Sequence, residues 1–201
     1  MKNKYSQADH YTKKAKSEGY QARSVYKLQE IQKKNILFKS GDNVLDIGAA
    51  PGSWSRFILK TIGKEGRLTA VDLNDLTGTI KSDPRMDFIQ GDFYQNDIIN
   101  SVKTNGPFNV ILSDAAPATS GNRTVDTAKS EALVEHIIYL ADELLTPHGS
   151  IAVKIFQGGG EKALLDSLRT KYKTVKLYKP MATRKSSFEA YLIGIYRESI
   201  R

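Results

Sequence analysis

Residues 43–54 read Asn43-Val-Leu-Asp-Ile-Gly-Ala-Ala-Pro-Gly-Ser-Trp54, and the fold class turns on this stretch. Val44, Leu45 and Ile47 form a short apolar run that stops at Gly48 and Gly52, and a helix-like apolar segment follows from Phe57 to Ile62. Such a run predicts a buried strand, a tight turn and a helix. In an open α/β sheet a turn of this kind, at the carboxyl end of a strand, is where a nucleotide-like ligand sits.

Spacing narrows the ligand. The dinucleotide pattern G-x-G-x-x-G needs a second glycine where Ala50 stands, so a nicotinamide or flavin dinucleotide is disfavoured. Asp46, just before the turn, places negative charge near the ligand and suits a cationic amino-acid group better than a pyrophosphate. S-adenosylmethionine, with its ammonium and sulfonium, meets that description. The form Asp-x-Gly-x-x-x-Gly resembles the first motif of the S-adenosylmethionine-dependent methyltransferases, and Gly48-Ala-Ala-Pro-Gly-Ser-Trp-Ser55 is similar to its FtsJ/RrmJ subgroup.

The chain has 201 residues, enough for one domain with a full core. We expect a basic arm over residues 1–20, read as mobile, and a single domain over 21–201. No apolar stretch reaches the length of a membrane span and no secretory leader is evident, so the expectation is a cytoplasmic monomer without membrane contact, with a mitochondrial or nucleolar site as the alternative in a eukaryote. Thirty Lys and Arg against 22 Asp and Glu give a formal charge of +8, the balance expected of a protein that meets phosphate backbones. Cysteine is absent, which excludes thiolate metal sites and any cysteine nucleophile, and with it pyrimidine-C5 methylation. His10, His136 and His148 lack ligand spacing, and no metal site is expected.

Downstream, strands are predicted at Leu68–Asp72, Met86–Ile89, Phe108–Leu112, Ser150–Phe156, Thr174–Tyr178 and Glu189–Tyr196, with helices over Ser24–Lys33, Asp126–Leu145 and Ala163–Lys171. The alternation predicts an α/β fold with a mostly parallel sheet, helices on both faces and right-handed crossovers. The last two strands lack an intervening helical pattern and are expected to pair antiparallel. A seven-stranded Rossmann-like sheet is what the methyltransferase resemblance implies.

Each early strand ends on a ligand-type residue. Asp72 stands about 20 residues after the glycine turn, where an acid reaches two ribose hydroxyls. Asp92 is placed to accept from an adenine amino group while Phe93 covers the ring, and Trp54 opens the first helix. After the fourth strand, Ser113-Asp-Ala-Ala-Pro117 lacks the Asp/Asn-Pro-Pro-aromatic pattern that holds a planar amine, which disfavours amine methylation. A ribose 2′-hydroxyl instead needs a base, or a cation beside the developing alkoxide. Lys27, Asp114, Lys154 and Glu189 are the polar residues that interrupt apolar strands or face them. Lys154 in particular breaks Ile151-Ala-Val-Lys-Ile-Phe156, where a lysine is costly without partners.

Five stretches carry a specific resemblance: Ala22-Arg-Ser-Val-Tyr-Lys-Leu28, the glycine turn, Ser113–Pro117, Val153-Lys-Ile-Phe-Gln-Gly158 and Arg184-Lys-Ser-Ser-Phe-Glu-Ala-Tyr191. In order, they resemble the landmarks of the FtsJ/RrmJ family of 2′-O-ribose RNA methyltransferases. The resemblance implies methyl transfer from S-adenosylmethionine to a ribose, a uridine of large-subunit ribosomal RNA first and transfer RNA second. It implies a catalytic tetrad of Lys27, Asp114, Lys154 and Glu189, and cofactor contacts at Gly52, Trp54, Asp72, Asp92 and Asp114. Asp46, Gly48 and Phe93 join that list from the residues themselves. RNA is expected to dock on Lys13, Lys14, Lys16, Arg23, Arg184 and Lys185, with Lys33 and Lys34 adding charge. A non-catalytic RNA-binding module and a small-molecule O-methyltransferase are the rival readings.

Overall fold

A twisted sheet of seven strands divides the molecule into two apolar layers, because most of its strands are buried on both faces and so alternate side chains between them. The computed structural model describes residues 10–184 and 186–198; Lys185 and the first nine residues of the expected arm lie outside the described residues. The elements run α1 (His10–Ser17), α2 (Val25–Asn35), β1 (Asn43–Ile47), α3 (Ser53–Ile62), β2 (Arg67–Asp72), a 3-10 turn (Gly78–Ser82), β3 (Met86–Gln90), α4 (Asn96–Asn105), β4 (Phe108–Ser113), α5 (Arg123–Leu144), β5 (Leu145–Phe156), α6 (Glu161–Arg169), β6 (Tyr172–Tyr178) and β7 (Glu189–Arg197).

The strand order is β3-β2-β1-β4-β5-β7-β6. Strands β1 to β5 pair in parallel, and β7 inserts antiparallel between β5 and β6. One residue apart along β1, Val44 faces a layer with Leu28, Ile31, Trp54, Ile58 and Tyr191, whereas Leu45 faces one with Val102, Val134, Ile137 and Leu164. Helices α2 and α3 therefore cover one face and α4, α5 and α6 the other. The order reverses at β1, which leads to β2 on one side and neighbours β4 on the other, so a crevice opens above the carboxyl ends of these strands.

Three local differences from the sequence reading have physical causes. Part of the expected arm, His10–Ser17, is helical, and its Ala15 packs with Val25, Tyr26 and Ala182 under Tyr11 and Tyr20. Helix α4 had escaped notice, although Ile99 and Val102 bury one of its faces; a ten-residue helix with a single apolar edge gives little periodic signal. Strand β5 begins at Leu145, but its pairing with β4 shifts between Phe108 and Val110, so the Thr146–Gly149 segment interrupts the ladder and the regular part starts at Ser150.

Candidate active site

The glycine turn is closed by contact. Gly48 adopts φ +78°, and a side-chain carbon there would fall 2.5 Å from the Ala115 backbone nitrogen, so the turns after β1 and β4 pack as bare backbone. Asp114 N donates to Ile47 O at 3.2 Å and Gly48 N to Val71 O at 2.8 Å, which fixes three strand ends together.

Above them lies a cleft of about 510 Å³, lined by Gly48, Asp72, Asp92, Phe93, Tyr94, Asp114, the Ala115–Ala118 loop and Lys129 with Leu133 of α5. Asp72 accepts from Ala50 N at 2.9 Å and Asn74 N at 2.8 Å, so its carboxylate is fixed at the cleft wall while lone pairs remain for a ligand. Asp92 Oδ1 accepts from Tyr94 N at 3.0 Å. Phe93 is buried in the core beneath, and the more exposed aromatic surface belongs to Tyr94, 50% exposed and stacked on His136 with centroids 4.4 Å apart.

Three residues assigned to the cofactor from sequence do not line this cleft. Gly52 begins α3 with φ +110° and lines a neighbouring depression with Arg56 and Lys60. Trp54 is 2% exposed, stacks on Tyr191 at 5.9 Å and donates its Nε1 hydrogen to Ser24 O at 2.9 Å, so it ties α3 to the start of α2. Its aromatic bulk serves the core, the commoner fate of an aromatic at a helix start.

Asp46 lies under the turn, fully buried. Ser55 Oγ donates to its Oδ2 at 2.7 Å, while Oδ1 has no partner among the described residues. Burial, with a smaller contribution from the charges of Asp114 and Asp72, pushes its carboxyl up from 3.8 to about 7 against the pull of the Ser55 bond. Between those values the folded state holds a proton that the unfolded chain has lost. The contribution is therefore complete below about 4, declines as pH rises and is gone above about 7. Between pH 5 and pH 8 the folded protein should lose nearly 3 kcal/mol, on the order of two pH units' worth, from this group. Urea unfolding of wild type and Asp46→Asn at the two pH values checks this; parallel pH profiles would remove Asp46 as the cause.

Beside the cleft, the four residues of the expected tetrad come together as two ion pairs. Lys27 Nζ lies 2.8 Å from Glu189 Oε2, across 162 residues of sequence, and Lys154 Nζ lies 3.1 Å from Asp114 Oδ1. Lys154 also donates to the Asp114 backbone carbonyl. Both lysines are 8% exposed. Register explains the grouping. Ser113 pairs with Val153, so Asp114 follows β4 next to Lys154; Phe156 pairs with Glu189, so Lys154 and Glu189 share one face of the β5–β7 ladder.

Tyr191 is a member that residue-type reasoning missed. It pairs with Lys154 across β5 and β7 and donates its hydroxyl to Asp114 Oδ1 at 2.7 Å. Burial, and then the Asp114 charge, holds that phenol well above its usual value, so it stays a donor. Its signal was available, since Glu189 and Tyr191 stand two apart on a strand and project to the same face. The arrangement leaves the Lys154 ammonium, held from one side by two oxygens of Asp114, able to act on an oxygen in the adjoining cleft.

The basic residues border this centre. Arg23 donates to Ala182 O at 2.5 Å and stacks over Tyr11, and it feels both Arg184 and Glu189. Desolvation and then Arg184 lower its pKa. Lys13, Lys14 and Lys16 lie on α1, with Lys14 3.7 Å from Glu18. Lys34 is spent in part on Glu30 and the Tyr178 ring. No helix is long and apolar enough to cross a membrane, and no group of acids and histidines able to hold a metal occurs among the described residues.

The fold and the site have relatives. A Treponema denticola protein named ribosomal RNA large subunit methyltransferase E is 54% identical over 194 residues, spanning 96% of this chain and 97% of its own. A Borreliella afzelii protein of the same name is 47% identical and spans 92% and 96%. Among solved structures, a chain described as a ribosomal RNA methyltransferase of Plasmodium falciparum superposes with a TM-score of 0.78 at 27% identity, covering 90% of this chain and all of its own. Aeropyrum pernix fibrillarin, crystallised with S-adenosyl-L-methionine, matches at a TM-score of 0.58 and 16% identity over 86% of this chain and 76% of its own, which is likeness of fold. The family model of the FtsJ-like methyltransferases matches residues 20–197, a span that holds the glycine turn, the cleft and both ion pairs. This chain, whose turn and paired lysines and carboxylates already pointed there, belongs to the FtsJ-like methyltransferase family.

Proposed function

We propose that the protein methylates a ribose 2′-hydroxyl of large-subunit ribosomal RNA. S-adenosylmethionine is the methyl donor; bound in the cleft, it supplies the electrophilic methyl. The names of the curated relatives support the RNA class, and the observation that carries the reaction type is the pair of nearly buried lysine–carboxylate contacts beside the cleft. Asp72 takes the donor's ribose hydroxyls, Asp92 its adenine amino group, and Tyr94 with Phe93 borders the ring. Asp114 orients Lys154, which takes the 2′-hydroxyl proton after shedding its own to solvent or, as the ammonium, stabilises the alkoxide as it forms. Glu189 holds Lys27, whose charge assists at the same oxygen. RNA lies across α1, Arg23 and Arg184, contacts that position a backbone without reading its sequence.

The test is methyl incorporation into undermodified large ribosomal subunits and into unmodified transfer RNA at one salt concentration, followed by nucleoside mass spectrometry. Expected is a 2′-O-methylated uridine in the ribosomal arm. A base-methylated product would overturn the reaction type, and preference for transfer RNA would overturn the substrate alone.

Two further outcomes follow. Asp72→Ala should weaken S-adenosylmethionine binding in calorimetry by about 1–3 kcal/mol, the cost of unpaired hydroxyls; unchanged affinity would take Asp72 out of the site. Arg184→Glu should weaken RNA binding and lower the slope of log affinity against log salt. A slope equal to wild type would place the RNA elsewhere.

A further inference from the structure

Arg123 opens α5 on the face of the sheet opposite α2 and Arg23. Its guanidinium lies 5.3 Å from the centroid of the Phe188 ring, and its Nη2 donates to Gln157 O at 3.3 Å. Both partners adjoin the reacting centre. Phe188 immediately precedes Glu189, and Gln157 follows Phe156, the ladder partner of Glu189; Gln157 N in turn donates to Phe188 O at 2.9 Å. Arg123 is thus clipped to the two strand ends that present Lys154 and Glu189.

The charge of Arg123 is uncompensated: among the described residues no carboxylate pairs with it. Glu161, which lines the same cleft, and Asp126, three residues along α5, are both engaged by backbone N–H groups. Glu161 accepts from Gly158 N at 2.9 Å and Gly159 N at 2.7 Å, and Asp126 accepts from Ser120 N at 2.7 Å and Gly121 N at 3.2 Å, which pins the loop leading to Arg123. Between Arg123 and the Gln157–Gly159 turn lies an open cleft of about 370 Å³ lined also by Thr124, Thr127 and Glu161, the last with its carboxylate turned to the Gly158 and Gly159 N–H groups. A guanidinium keeps several N–H donors after one bond to a carbonyl, and its planar fork matches two oxygens of one phosphate.

We propose that Arg123 anchors the phosphodiester of a nucleotide flanking the methylated ribose, on the side of the tetrad away from Arg23 and Arg184. The RNA strand is then gripped by charge on both sides of the reacting sugar, which holds a single ribose in place without base recognition. The assignment rests on the RNA-methylation reading and extends its substrate contacts to the second face of the sheet.

The experiment compares wild type, Arg123→Gln and Arg123→Lys on large ribosomal subunits from cells lacking the protein, by filter binding across a salt series and by steady-state methylation. Expected for Arg123→Gln are a KM for subunits raised about tenfold, kcat within twofold of wild type, unchanged S-adenosylmethionine affinity and a salt slope reduced by about one. Arg123→Lys, which keeps the charge and loses the fork, should restore the slope and part of the affinity. Wild-type KM and slope in Arg123→Gln would overturn the anchor. So would a joint fall in kcat and S-adenosylmethionine affinity that Arg123→Lys fails to repair, since that marks a packing role. Failure of wild type to methylate the subunits overturns the underlying reading instead, and the binding series separates the two cases.

Discussion

Replacing Lys154 with alanine is expected to lower kcat for methyl transfer by about 10³-fold, within the range for loss of a positioned proton acceptor or charge. Binding of S-adenosylmethionine should largely persist, because Asp72, Asp92 and the glycine turn do not lean on the lysine and Asp114, the one cleft residue that does, is still held by Tyr191. The Asp114 carboxylate keeps its bond from Tyr191, so the strand ends retain their arrangement. Lys154→Arg separates the two modes of action. A guanidinium stays protonated, so recovered turnover would mean charge stabilisation, and none would point to proton removal. Turnover near wild type in Lys154→Ala would end the assignment.

Asp114→Ala should be more damaging to the whole molecule. It leaves the Lys154 ammonium, 8% exposed, without its counter-ion, and it leaves the fully buried Tyr191 hydroxyl without an acceptor. Removing one partner of a buried pair typically costs 3–5 kcal/mol, and here the partner lysine retains one backbone carbonyl. A loss of about 3 kcal/mol in chemical unfolding is expected, together with loss of turnover. Tyr191→Phe, which removes only the hydroxyl, should cost about 1 kcal/mol and leave measurable activity. Equal stability of Asp114→Ala and wild type would mean that Lys154 sheds its charge or reaches water on mutation, and would end the claim that Asp114 holds it.

Much of the fold was legible because local pattern fixes local structure. The apolar run at Val44–Ile47 ending in glycine specified strand and turn, and the alternation of such runs with helical segments specified a mostly parallel sheet. A lysine inside the apolar run of β5 and acids at strand ends were visible as chemistry, since burying charge without a partner is costly. Sequence could not say which side chains would meet. Lys27 and Glu189 are paired only because α2 packs over a sheet in which β7 slips between β5 and β6, and register then sets Tyr191 opposite Lys154.

The same limit applies at the start of α3. Trp54 and Gly52 belong to the turn motif by position; packing seats the indole on Tyr191 and Ser24, and Gly52, at the N-cap of α3, lines the neighbouring depression. Helix His10–Ser17 gains its order from contacts with Tyr26 and Ala182, the latter far along the chain. Sequence by itself determined the seven strands and the glycine turn, because these follow from periodicity and backbone sterics. Only the tertiary structure decided which side chains share a cleft, because contacts between distant segments depend on strand order, register and close packing.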